Sequence, residues 1–214
     1  MKFRLVSLLC SLASFTAFAL PQAYVTNEKD NTISIIDMQS FDVVDTIDVG
    51  ERPRGFILSA DQRHAYICAS DADRIQIMDL SNHTIVGDLP SGADPETIAL
   101  HPNGTTIYTA NEDDALLTVI DIPSGEVISQ IDVGVEPEGL AVSHDGKMMV
   151  VTSETTNMVH WIDTQTHENV ANSLVDARPR DAHFTKDDKY LWVSSEIGGT
   201  VSIFDTQTKQ KVRT

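Results

Sequence analysis

Basic residues are scarce in this sequence. Fifteen lysines and arginines stand against 32 aspartates and glutamates over 214 residues, a formal charge of −17 at neutral pH. Nucleic-acid phosphates are held by clustered Lys and Arg, so a nucleic-acid partner is not expected. Cysteine is almost missing: Cys10 and Cys68 cannot make a disulfide framework, and no C-x-x-C-H haem attachment occurs. No stretch approaches the roughly 20 apolar residues of a spanning helix, so no membrane span is expected. Phosphate-loop and nucleophile-elbow motifs are absent, as is the D-x-D-x-D-G spacing of a calcium loop, so neither a catalytic residue nor a metal site is assigned. Helical 3.6-residue spacing is not sustained over any long window.

What is present begins with an address. Lys2 and Arg4 precede an apolar run from Leu5 to Phe18 that ends in Ala17-Phe18-Ala19. This reads as a secretory signal peptide over residues 1–19, with export to the periplasm or beyond after cleavage near Ala19. Its loss removes Lys2 and Arg4 and takes the charge from −17 to −19. It also removes Cys10 and leaves Cys68, which sits mid-strand where other copies of its phrase carry Thr26, Ala110, Thr152 and Ser194. A small buried filler is expected there.

Those copies are the main feature. "AYVTNEKDNTISIIDM" is rewritten as "AYICASDADRIQIMDL", "IYTANEDDALLTVIDI", "MVVTSETTNMVHWIDT" and "LWVSSEIGGTVSIFDT". Aspartates recur at Asp37, Asp79, Asp121, Asp163 and Asp205, and prolines at Pro53, Pro95, Pro137 and Pro179, both series stepping by 42. One period holds four short β-branched strands separated by turn residues, such as His144-Asp145-Gly146-Lys147 with glycine at the left-handed position. Such a period predicts an all-β propeller built from four-stranded antiparallel blades, residues 20–214 forming one domain. Each blade has two apolar faces and needs a neighbour on both, which is what repetition supplies. The strand count gives three strands, then three complete blades, then one cut short at Thr214, an incomplete ring of about five. The missing inner strand and about two further blades are expected beyond it, because propellers have about 4 to 8. The terminal aspartates are expected to cap turns by accepting backbone N–H bonds.

Strand alternation puts the variable loops and the proline loops on one rim. That rim gathers Glu28, Glu112, Glu154 and Glu196 with the proline flanks, which change sign: Arg52 and Arg54, Asp94 and Glu96, Glu136 and Glu138, Arg178 and Arg180. Two arginine pairs at a channel mouth suit a polycarboxylate ligand through forked hydrogen bonds. They also suit pairing with the acids around them, which a field this acidic favours, and the sequence leaves both open. The acids themselves form a candidate partner-binding rim. His183 lies on an inner strand, where it is either a channel-lining ligand contact or a packed or water-bonded side chain. The opposite rim carries routine turns, with His101, His144 and His167 among them.

The phrase "YVTNEKDNTISIID" resembles the YVTN family of β-propeller repeats, and the likeness runs from Ala23 to Thr214. "VGERPRGF", "LPSGADPE", "YTANEDD", "VGVEPEGLAVSHDGK", "VTSETTNM", "LVDARPR" and "WVSSEIGGTVSI" together resemble the periplasmic propellers associated with PQQ-dependent catabolism. The resemblance implies seven blades and an accessory, non-catalytic role beside quinoprotein alcohol oxidation. Pyrroloquinoline quinone (PQQ) is then a possible ligand, and a quinoprotein dehydrogenase or a cytochrome c a possible partner. Two alternatives stay open: a channel-sited enzyme or a binder of a redox cofactor, haem d1 or a quinone, and a surface-layer or scaffold repeat protein.

Overall fold

A computed structural model describes residues 21–214; the segment read as a signal peptide lies outside the described residues. Among the described residues, nineteen strands form five antiparallel sheets. The first has three strands: β1 (Gln22–Asn27), β2 (Thr32–Asp37) and β3 (Val43–Asp48). The second is β4 (Pro53–Leu58), β5 (His64–Ala69), β6 (Arg74–Asp79) and β7 (Thr84–Pro90). The third is β8 (Pro95–Leu100), β9 (Thr106–Asn111), β10 (Leu116–Asp121) and β11 (Glu126–Asp132). The fourth is β12 (Pro137–Val142), β13 (Met148–Ser153), β14 (Met158–Asp163) and β15 (Glu168–Leu174). The fifth is β16 (Pro179–Phe184), β17 (Tyr190–Ser195), β18 (Thr200–Asp205) and the short β19 (Lys211–Arg213). These are the expected blades, the last having a three-residue fourth strand where the sequence reading had it cut short.

Within a blade, burial is deepest in the second and third strands and least in the outermost. The second strands are apolar on both faces, and β13, "MMVVTS", is buried almost throughout, while the outermost strands such as β15 are mostly exposed. Strands that alternate hydrophobic and polar would leave one face wet; these have neighbours on both. Leu117 and Val119 of the third blade meet Met149, Val151 and Ile162 of the fourth. Val150, Val159 and Trp161 of the fourth meet Leu191, Val193 and Phe204 of the fifth. Each such side chain contributes about 1.5–3 kcal/mol of burial, so the blade interfaces are the core.

Inner strands β4, β8, β12 and β16 pack against one another in sequence, whereas the outermost strands touch sparsely. That difference fans the blades into an arc around a channel lined by the inner strands. At its two sides the interface residues lack a neighbour: Trp192 is 48% exposed in the place of fully buried Val150, and Val25 is 45% exposed in the place of fully buried Ile67. Cys68 is fully buried, and burial pushes its thiol up to about 12, as a packing residue requires.

The 42-residue step extends to the backbone. Third and fourth strands lose register at the same place in every blade, as at Ile77/Met78, Val119/Ile120 and Trp161/Ile162. Such bulges bend and twist the outer strand. The strand-end aspartates cap their turns: Asp163 Oδ1 accepts the N–H groups of Gln165 and Thr166 at 2.8 and 2.9 Å, and Asp79 and Asp205 accept those of Ser81 and Thr208 at 2.8 Å each.

Candidate functional site

The residue before each proline has left-handed backbone: φ is +52° at Arg52, +52° at Asp94, +56° at Glu136 and +60° at Arg178. For a residue with a Cβ this conformation costs about 1–2 kcal/mol. Proline also disfavours helical conformations in the residue before it. A frame of hydrogen bonds holds the strain in place. The N–H groups of Arg52, Asp94 and Arg178 donate to Asn31 Oδ1, Asp73 Oδ1 and Asn157 Oδ1 at 2.9, 3.0 and 2.9 Å. The carbonyls of Arg52, Asp94, Glu136 and Arg178 accept from the N–H groups of Ser70, Glu112, Glu154 and Glu196 at 2.8–3.1 Å. Each proline loop is thereby pinned to its own blade, and those of Arg52, Asp94 and Arg178 also to the preceding one, so the charged flanks take fixed places. Strained backbone of this kind concentrates at functional sites. Asn31 and Asn157 were missed by the sequence reading, which placed Asp73 on this rim without giving it the role of acceptor; Asn or Asp at matching places in the variable loops is a signal for left-handed backbone.

The flanks converge on one ion-pair network. Arg52 Nε donates to Glu28 Oε1 at 3.1 Å, its Nη1 to Asp94 Oδ1 at 2.7 Å and its Nη2 to Glu96 Oε1 at 2.8 Å; Asp71 lies 3.7 Å from Nη1. Arg54 reaches Glu28 at 3.2 Å, Glu138 at 3.3 Å and abuts Glu96 Oε2. Across the channel Arg178 Nε binds Glu154 Oε2 at 2.6 Å and approaches Glu196 at 3.4 Å. Arg180 binds Glu138 Oε1 at 3.0 Å, contacts Glu154, and lies 3.9 Å from Glu196. Glu138 joins the two halves, since one oxygen pairs with Arg54 of the second blade and Arg180 of the fifth.

The network walls a cavity of about 610 Å³ at the channel mouth, lined by all four arginines with Glu112, Glu136, Glu138 and Glu154, and by Thr155, which donates to Glu136. A smaller cavity of about 240 Å³ lies beside Glu28, Arg54 and Glu96. The structure thus brings the sequence-predicted rim residues together around one mouth, with one exception. His183 is largely exposed on β16, 3.0 Å from Asp181, and lines neither cavity. On the other rim, His101 Nε2 bonds the Gly146 carbonyl at 2.8 Å and His144 Nδ1 lies 2.8 Å from Asp188 Oδ1, each tying a turn to the next blade.

Burial sets the electrostatics. The Glu96 side chain is inaccessible to solvent, and burial pushes its carboxyl up to about 8; Arg54 opposes the rise, while Glu138 and Asp94 add to it. Burial likewise raises Glu138 against the opposing pull of Arg180 and Arg54, with Glu154 and Glu112 reinforcing it. Exposed Glu28, by contrast, is lowered by its hydrogen bond to Arg52. Asp94, Glu96 and Glu112 lie close enough to share a cation. The guanidinium groups of Arg52 and Arg54 already stand against Asp94 and Glu96, so the charge a metal would supply is in place.

A YNCE-like β-propeller family model matches residues 46–144. This is a β-propeller repeat protein. Among solved structures, the propeller is similar to Kuenenia stuttgartiensis hydrazine synthase, with a TM-score of 0.78 and 22% identity over 87% of this chain. It spans 60% of that chain's length. A functionally unknown protein from Desulfotomaculum acetoxidans is similar over 92% of this propeller and 67% of its own length, with a TM-score of 0.76 and 17% identity. At these identities the likeness is one of fold. No curated protein matches the chain.

Proposed function

We propose that this propeller is a non-catalytic binding protein, exported to the periplasm, whose proline-loop rim receives a small charged ligand or a partner's loop. The observation that carries this reading is the departure from repetition at one place. The blades share a period, bulges and turn caps, yet the proline flanks are Arg-Arg in the second and fifth blades and acidic in the third and fourth, and meet in one network beside a polar cavity. A purely structural rim has no need to vary the sign of residues held on identical strained backbone.

The mouth offers one lining hydroxyl, that of Thr155, which donates to Glu136. Its side chains are guanidinium and carboxylate groups with Thr155 and Asn157, suited to recognition by charge and hydrogen bonding. The resemblance to propellers of PQQ-dependent catabolism makes pyrroloquinoline quinone, with three carboxylates, the first ligand to try. It also makes an accessory role in quinoprotein alcohol oxidation the physiological setting, with a quinoprotein dehydrogenase or a cytochrome c as partner. Arg52, Arg54, Arg178 and Arg180 are the proposed contacts. Titration calorimetry with the quinone tests the reading. Micromolar binding that is lost when all four arginines become alanine is the expected result. An absence of heat, or unchanged affinity in that variant, overturns it.

A further inference from the structure

Glu138 occupies an unusual position among the rim acids. Its Oε1 atom receives Arg54 Nη2 at 3.3 Å and Arg180 Nη2 at 3.0 Å, from the second and fifth blades, while the Glu138 backbone lies on the fourth. One buried carboxylate oxygen therefore stands where an external carboxylate would have to place its own oxygen to be gripped by both arginine pairs. The cavity wall is already balanced, four arginines facing Glu112, Glu136, Glu138 and Glu154. A ligand carrying two or three negative charges would leave that wall in large deficit, within a chain that is itself strongly acidic.

We propose that the cavity takes up small polycarboxylate anions together with protons, which Glu138 and Glu96 receive, so that ligand oxygens replace the Glu138 carboxylate between Arg54 and Arg180. This rests on the binding role assigned above to the four arginines. Each proton cancels one negative charge where the ligand adds one, and no bond other than the carboxyl O–H is made. The surroundings permit it. Glu138 faces Arg54, Arg180, Glu96, Glu112 and Glu154, more acids than bases. Glu96 faces Arg52, Arg54, Asp94, Glu112 and Glu138, again with acids in excess. Burial raises both carboxyls, Glu96 up to about 8, so each holds a proton more readily than an exposed carboxyl does. A protonated Glu138 also keeps a donor to offer the incoming anion.

The test is calorimetry of the folded chain with citrate, at pH 6 and 8, in buffers of different ionisation enthalpy. The expected result is uptake of one to two protons per citrate at pH 8, and affinity that weakens about tenfold per pH unit for each proton taken up. The Glu138→Gln variant, its fold checked by circular dichroism, should bind citrate more tightly at pH 8 and take up fewer protons. Equal affinity at both pH values with no proton uptake overturns the coupling while leaving the arginine site standing. Failure of both the wild type and the Glu96→Gln/Glu138→Gln variant to bind citrate at either pH overturns the arginine site itself.

Discussion

The two rims of the arc are built from one repeat and use it in opposite ways. On the turn rim, Asp79, Asp163 and Asp205 keep one residue type at one place and satisfy backbone N–H groups of their own blade. On the proline rim the backbone repeats as closely, but the side chains change sign and find partners in other blades, as Glu138 does with Arg54 and Arg180. A repeated residue with a local partner serves the fold of each blade. A varied residue with distant partners belongs to something that the blades make only together.

The largest effect should come from wedging the proline rim apart. A Cβ on Gly139 would lie 2.7 Å from the Arg180 carbonyl oxygen, 2.7 Å from Thr152 Oγ1 and 2.8 Å from the Asp181 Cα. Two of those neighbours are backbone, so the inner strands β12 and β16 must separate. Gly139→Ala should cost about 3 kcal/mol, the upper end for overpacking, measured by urea denaturation. The turn rim offers the contrast. Gly125 has φ +70° with only Leu89 nearby, and its counterparts His83, His167 and Lys209 hold φ of +57° to +58° with side chains. Gly125→Asn should therefore change stability by less than about 0.5 kcal/mol.

The next effect is electrostatic and belongs to the proline rim alone. The Glu96 carboxyl titrates near 8 in the folded chain, above its ordinary value of 4.5, so the folded state binds the proton more tightly than the unfolded chain. The stability this provides is full below about pH 4.5 and is lost as pH rises through 8. Urea midpoints should fall between pH 6 and pH 9, by the equivalent of about 2 kcal/mol, and Glu96→Gln should flatten the slope. Glu138 acts in the same direction. A midpoint that rises over this range would show that the arginines outweigh burial.

Smaller again is the turn rim's own contribution. Asp163→Ala removes an acceptor from two backbone N–H groups at an exposed turn and should cost about 1 kcal/mol. Asp205→Ala should match it within a few tenths, because both do one job. Neither value should respond to salt as the ion-pair network does.

How much of this was legible in the sequence follows the same division. The 42-residue step, the strands, the turn-capping aspartates and the gathering of charged loops on one rim all depend on local spacing and strand parity, which a sequence displays. Which acid meets which arginine depends on how far the fan of inner strands closes, and no local pattern encodes that. Hence the bridge from Arg54 to Glu138, across 84 residues, was not foreseen. His183 shows the same limit. Its place on an inner strand suggested the channel, but the face it occupies is one that has no neighbour in this arc, so it stands in solvent beside Asp181.

His160 supplies the smallest effect and the clearest reading of a substitution within the repeat. It occupies the place of Ser34, Gln76 and Thr118 in earlier blades. Its Nε2 accepts the Gly134 N–H at 2.8 Å, and its Nδ1 lies 2.6 Å from Asn172 Oδ1, which fixes a neutral ring protonated at Nδ1. Burial lowers its affinity for a proton. A depressed histidine binds the proton more readily in the unfolded chain, so its contribution is full above about pH 6.5 and is lost as pH falls below that value. Acidification from pH 7 to 5 should lower the urea midpoint, opposite in sign to the Glu96 slope. Gln76 shows the remedy, because its Oε1 accepts the equivalent Gly50 N–H at 2.7 Å. His160→Gln should hold Gly134 in the same way and remove the acid limb while leaving the alkaline one. If the acid limb persists in that variant, the proton acts at another group and the assignment to His160 fails.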